Sequence, residues 1–356
     1  MKKMTIAEIA KLAGCNSSTV SRALNPATAS LISAPCREKI IRLCDRLNYR
    51  PRITARGCAT GKTYTIGFIS CQLAYDLSSP FLGTYLAAIG EELQNRGYAL
   101  TLISVPGVDQ RLQSSVRDIL LSERADGYIL GAGLLKKQTQ DMFRFTGRPI
   151  VTHAYHNMPR VGGFPAVEIN IDHAVAEAWK NVPDRLLKKK ICFFGHEDSS
   201  ADSKLPKIRE YAPRGIKVDV QHIPEFSRYL AVNHAEAVRA SELLWPQLSQ
   251  YALVWCASDM AAMGVMDTMR RHGMEPGREI NLISYDHLSV LIPNFPDDFA
   301  TIDPCWHDAG TAIAQKVLEF IESPDKRRLS VKIDARFIPG KSLACEKKTA
   351  ENDFSE

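Results

Sequence analysis

Hydrophobic positions near the N-terminus recur at helical spacing, whereas beyond residue 63 they gather into short runs of strand length. Ile6, Ile9, Ala10 and Ala13 share one helical face, and Thr5 with Glu8 has the spacing of a capping box, so a first helix begins at about Thr5. Gly14 can take the left-handed backbone of a sharp turn, and Asn16 offers a side-chain oxygen to cap a second helix over Ser17–Leu24. On that helix Val20, Ala23 and Leu24 face inward, leaving Ser17, Ser18, Ser21 and Arg22 outside. A third helix opens at Ser33, with Pro35 in its first turn, and buries Ile40, Leu43, Cys44 and Leu47. Three such helices close a minimal core.

Farther along, apolar runs at Thr65–Ser70, Ala99–Ser104, Gly127–Leu130, Ile150–Thr152, Ile191–Phe194, Ala252–Trp255 and Asn281–Ser284 alternate with amphipathic helical segments. That alternation predicts a parallel α/β body, whose ligands bind at the carboxyl ends of the strands. The length of 356 residues suits a small module joined to a larger one.

Charge sharpens the division. Residues 1–62 carry 12 Lys+Arg against 3 Asp+Glu, while the rest of the chain carries 33 against 37. A basic head on a mildly acidic body points to a polyanion partner for the head, because clustered cations displace counterions from phosphates; a merely soluble surface is the plainer alternative. Two short helices around a Gly-containing turn make a helix-turn-helix over residues 5–25, and its second helix presents Arg22 for guanine and two serines for base edges. An ordinary helical hairpin with solvated hydroxyls is the competing account.

Nine scattered cysteines, none in a C-x-x-C pair, suggest neither a zinc ribbon nor a disulfide framework, and they fit a reducing cytosol. Lys2, Lys3, Glu8 and Lys11 interrupt any signal-peptide core, and no apolar run approaches bilayer-spanning length, so the expectation is a cytoplasmic protein without a membrane partner. Enzyme patterns fail: His153-x-x-His156 lacks the zinc-helix spacing, His196-Glu-Asp-Ser199 has no nucleophile elbow, and Gly131-Ala-Gly133 lacks the third dinucleotide glycine. No catalytic residues, metal or cofactor are expected. The rival classes are a ligand-binding module whose head no longer reads DNA and an enzyme built on the same lobes.

The run Thr5-Ile-Ala-Glu-Ile-Ala-Lys-Leu-Ala-Gly14-Cys-Asn-Ser-Ser-Thr-Val-Ser-Arg-Ala-Leu-Asn25, followed by Arg37-Glu-Lys39 and Leu47-Asn-Tyr-Arg-Pro51, resembles the head of the LacI/GalR repressors. The resemblance extends through Ser79-Pro-Phe81, Gly97-Tyr98, Asp126-Gly127, Ala257-Ser-Asp259-Met-Ala-Ala-Met-Gly264 and Leu282-Ile-Ser-Tyr-Asp286. It implies an all-α helix-turn-helix head and a periplasmic-binding-protein-like α/β body of two Rossmann-like lobes. The corresponding division is a DNA-binding domain over residues 1–50, a hinge over 51–62, an effector-binding and dimerisation domain over 63–345, and a polar tail over 346–356. The lobe boundary is expected near 160, with the chain recrossing near 290 and 325. The tail lacks leucine heptads, which favours a homodimer.

By the same resemblance, Thr5, Thr19, Ser21 and Asn25 serve phosphates, Ser17, Ser18 and Arg22 serve base edges, and Arg52, Ala55 and Cys58 belong to a hinge that folds on a double-stranded operator. Cys58 stands where the family has a leucine wedge. The implied effector set is Tyr75, Phe81, Lys204, Phe226, Ser258 and Asp286, around a small molecule for which a carbohydrate is the favoured class. Two departures bear on the sugar: Ala154 stands where an acidic residue is often found, and after Gly195 only Lys204 replaces an arginine. The start of that loop is similar to the one in repressors of β-galactoside use. Turn, core and helix-cap roles are the alternatives for Asp286, Phe226 and Asp259, and for Asp259 the cap is preferred.

Overall fold

Local capping decides the head. Helix α1 (Ile6–Ala13) starts at Thr5, whose Oγ1 accepts the Glu8 N–H at 3.3 Å while Glu8 Oε2 accepts the Thr5 N–H at 2.7 Å. It ends at Gly14, with φ 70°, where any side chain would be strained. Helix α2 (Ser17–Leu24) is capped by Asn16. Helix α3 (Ala34–Arg46) follows Ser33, whose hydroxyl makes no capping bond, so the start rests on Pro35. The core joins Ile9, Ala10 and Ala13 to Val20, Ala23, Ile40, Leu43 and Cys44; Tyr49 completes it, and Leu47 is only half-buried. Lys39 Nζ ties α3 to the end of α1 by donating to Ala13 O at 2.8 Å.

The computed structural model describes residues 4–25, 28–51, 57, 60–70, 77, 80–105, 117–130, 147–154, 164–195, 204–222, 234–290, 299–323 and 330–344. The head belongs to one compact unit, Met1–Tyr64, and the body to another, Thr65–Glu356.

The described strands of the body are β1 (Thr65–Ser70), β2 (Ala99–Ser104), β3 (Gly127–Leu130), β4 (Ile150–Ala154), β5 (Ala166–Asn170), β6 (Ile191–Gly195), β7 (Val218–His222), β8 (Leu253–Cys256), β9 (Asn281–Tyr285), β10 (Ala300–Asp303), β11 (Val331–Asp334) and β12 (Arg336–Ile338). They form two sheets, ordered β11-β5-β4-β3-β1-β2 and β12-β10-β9-β8-β6-β7. Every pairing among them is parallel except that of β10 with β12. The helices that matter below are α4 (Pro80–Asn95), α5 (Asp172–Lys180), α6 (Lys204–Glu210), α7 (His234–Leu243), α8 (Asp259–Arg271) and α9 (Trp306–Glu322). Helix α9 lies along α4 at close range, since a Cβ on Gly310 would sit 2.5 Å from Tyr85 O.

Pairing corrects the lobe boundaries expected from the sequence. β5 pairs with β4, so the chain stays in the first sheet past residue 160 and leaves it between Asn170 and Ile191. β10 pairs with β9, so the return comes after Asp303 rather than near 290. The last crossing lies between Asp334 and Arg336, later than 325. These crossings are bonded side by side. Ala335 N donates to Asn170 O at 2.9 Å, Asn170 Nδ2 to Asp334 Oδ1 at 2.7 Å, and the Cys305 thiol approaches Asp334 O at 3.7 Å.

Candidate nucleic-acid interface and ligand cleft

The outer face of α2 carries uncommitted donors. Ser18, Ser21 and Arg22 are exposed, and Ser17 and Thr19 are half-buried. Among the described residues, the side chains of Ser17, Ser21 and Arg22 make no intramolecular hydrogen bond or ion pair. The Thr5, Ser18 and Thr19 hydroxyls differ: Thr5 Oγ1 donates to Glu8 Oε2 at 2.9 Å, while Ser18 and Thr19 both donate to Asn16 Oδ1. Asn25 is half-buried at the end of α2, where its N–H donates to Arg22 O at 3.3 Å. On α3 and beyond, Arg42 and Arg50 pair with Glu38 and Asp45. Arg52, Ala55 and Cys58 lie outside the described residues, as do Tyr75 and Phe226.

In the first lobe an aromatic group gathers at the carboxyl end of β4. Phe81 stacks on Trp306 with centroids 4.3 Å apart, and Tyr85 Oη lies 3.1 Å from Nδ1 of the buried His153. Burial pulls the His153 imidazole down to about 4, so it is neutral near pH 7. The sign follows: with a folded value below the ordinary 6.5, stability is lost as pH falls from 6.5 towards 4, by about 3 kcal/mol. Denaturant melts across that interval should lose this increment in wild type and not in His153→Gln; parallel pH curves would contradict it.

In the second lobe Lys204 Nζ donates to Ala257 O at 2.6 Å and sits 4.3 Å from the Tyr285 ring centroid, which brings it beside the strand ends that carry Ser258 and Asp286. The structure corrects the cap: Ser258, not Asp259, closes α8, its hydroxyl accepting the Ala261 N–H at 3.1 Å. Asp259 instead turns inward. It accepts from Ser284 Oγ at 2.5 Å, Thr301 Oγ1 at 2.7 Å and Leu288 N at 2.7 Å. Burial pushes its carboxyl above the ordinary 3.8, against the pull of those three donors and of the His287 charge. The Leu288 bond holds a strained loop, because Asp286 and His287 both have positive φ, 113° and 56°. His287 Nδ1 lies 3.2 Å from Asp303 Oδ2, which raises the imidazole value against desolvation.

Two family models match the chain. "Bacterial regulatory proteins, lacI family" covers residues 5–52, and "Periplasmic binding proteins and sugar binding domain of LacI family" covers residues 63–341. The chain belongs to the LacI family. Among curated relatives, the HTH-type transcriptional repressor PurR of Photobacterium profundum is 23% identical over 342 residues, 95% of this chain and 98% of that protein. The lac repressor dimer bound to operator and the anti-inducer ONPF has the same fold, with TM-score 0.72 at 18% identity over 97% of this chain and 100% of that one. The CelR–cellobiose complex matches with TM-score 0.62 at 18% identity, covering 96% and 100%.

This LacI-family chain is therefore a DNA-binding transcription regulator with a helix-turn-helix head and a ligand-binding body, not an enzyme. Among the described residues, no helix is long and apolar enough to cross a membrane. Phe81 and Lys204 fall at the strand-end clusters. Trp306 and Tyr85 escape the sequence reading, Trp306 because it follows a strand with no clear pattern and Tyr85 because it looks like an ordinary core residue, while His153 and Tyr285 enter it only within a rejected zinc pattern and a family run.

Proposed function

We propose that this regulator is a repressor that binds a palindromic operator as a homodimer in the cytosol and is released by a small carbohydrate held between its lobes. The observation that carries the DNA half is the outer face of α2, where Arg22 and Ser21 are exposed, Ser17 is half-buried, and all three side chains are uncommitted among the described residues. Arg22 pairs with guanine O6 and N7, and Ser17 and Ser18 read neighbouring edges. Ser21 and Asn25 hold phosphates; Thr5 and Thr19 join them by giving up their bonds to Glu8 and Asn16. Two heads on a twofold axis set the half-site spacing.

The effector half rests on chemistry at the strand ends. The Phe81–Trp306 stack offers a flat apolar face to sugar C–H groups, Asp286 a carboxylate for vicinal hydroxyls, and Lys204 a cation. Ser258 contributes from its cap, and Tyr75 and Phe226 complete the set. CelR, a relative in fold, is solved with cellobiose.

Effector binding reorients the lobes about the three crossings and lowers operator affinity, a coupling of typically about 1–3 kcal/mol that must act equally in both directions. A thermal-shift screen of sugars, sugar phosphates and nucleobases identifies the ligand, since one at 100 times its Kd adds about 2.7 kcal/mol of stability. Titrating that ligand with and without operator should then give affinities that differ by the coupling factor; equal affinities would refute the mechanism. In the hinge, Cys58 makes a smaller wedge than leucine, so Cys58→Leu should bind operator more tightly and bend it further. Unchanged affinity and bend angle would contradict that.

A further inference from the structure

Helix α2 begins on a carboxamide rather than a hydroxyl, and the arrangement around it constrains what its first turn can read. Three donors converge on Asn16 Oδ1: the Thr19 N–H at 2.8 Å, Thr19 Oγ1 at 2.8 Å and Ser18 Oγ at 2.7 Å. A backbone N–H only donates, so the Thr19 amide settles which end of the carboxamide faces the helix. A carboxamide oxygen only accepts. The Ser18 hydroxyl must therefore point its proton back at Asn16, and what it turns outward, from an exposed position, is lone pairs. Ser17 and Ser21 make no such bond among the described residues and keep both senses.

That difference has a consequence in the major groove. A serine with a mobile proton is a poor discriminator, because it can donate to guanine or thymine and accept from adenine or cytosine. A serine fixed as an acceptor matches only the amino-bearing edges, adenine N6 and cytosine N4. We propose that Ser18 is a specificity-determining residue selecting adenine or cytosine on the strand it faces, and that Asn16 is the positioning residue that sets this sense. The inference rests on the reading of α2 as the groove-entering helix, and it adds the polarity of one contact. Ser18 and Arg22 then divide the work: the serine seeks a base amino group and the arginine seeks the paired acceptors of guanine.

The test is selection from random double-stranded oligonucleotides with the full chain, comparing wild type with Ser18→Ala, Asn16→Gly and Asn16→Asp. Glycine keeps most of the capping preference while removing the acceptor, and aspartate keeps both. Wild type should favour adenine or cytosine over guanine or thymine by about fivefold at one position per half-site, the discrimination expected of one hydrogen bond. Ser18→Ala should flatten that position alone, Asn16→Gly should erase its bias, and Asn16→Asp should retain it. A wild-type preference for guanine or thymine there, no position altered by Ser18→Ala, or a bias that survives Asn16→Gly would overturn the proposal. A wild type that selects no consensus would instead overturn the DNA-reading function on which it rests.

Discussion

Arg22→Ala is expected to weaken operator binding by roughly 2–6 kcal/mol, because a bidentate arginine–guanine pair discriminates by about 1–3 kcal/mol and a twofold site contains two. At about 1.4 kcal/mol per tenfold, that is roughly 30-fold to twenty-thousandfold in Kd. The size of the effect follows from the side chain's situation. Arg22 is exposed, no carboxylate pairs with it among the described residues, and it projects from the last turn of a helix fixed by the Asn16 cap and by Val20 and Ala23 in the core. Nothing in the fold should suffer from its removal. Anisotropy titrations would separate the two roles an arginine can play: loss of a base contact relaxes preference at one base pair, whereas loss of a phosphate contact weakens all sites alike. Arg22→Lys keeps the charge without the fork, and should recover nonspecific binding but not the guanine preference. Equal weakening on cognate and guanine-substituted sites would assign Arg22 to the backbone.

Asp259→Ala should cost the body about 3–5 kcal/mol, since it deprives three buried donors of a charged acceptor at once. Ser284, Thr301 and the Leu288 N–H converge on this carboxylate from β9, β10 and the loop between them, and only 1% of the residue is exposed. Its pH dependence opposes that of His153. The folded value lies above 3.8, so the native state holds the proton more tightly than the unfolded chain. Stability from this group is fully present below 3.8 and is lost as pH rises through the folded value. Because the Leu288 bond anchors the strained Asp286–His287 turn, the variant should also lose effector affinity beyond what its stability change explains. Denaturant melts and ligand titration of Asp259→Ala measure both, and an unfolding free energy within about 1 kcal/mol of wild type would refute the role.

The head is legible in the sequence because its signals are local: Thr5 with Glu8, Gly14 and Asn16 each act within four residues of their partners. The body is legible where a strand carries a continuous apolar run, even at an exposed sheet edge as in β2. β1 and β3 read as apolar runs, whereas β7 and β11 alternate at sheet edges, and β10 and β12 are short. Lobe boundaries depend on which strands pair, as with β5 on β4, and no residue near 160 carries that information. The cap expected at Asp259 fails for a related reason. Serine and aspartate both cap helices, and what turns Asp259 inward is a set of donors that only tertiary packing supplies. Trp306 meets Phe81 in the same way, across a long stretch of chain.

The most direct measurement is the DNA preference of the purified full chain, read by selection from random double-stranded oligonucleotides at moderate salt. A palindromic consensus with a guanine in each half-site, lost in Arg22→Ala, is the predicted result; recovered sequences no different from the starting pool would contradict the account.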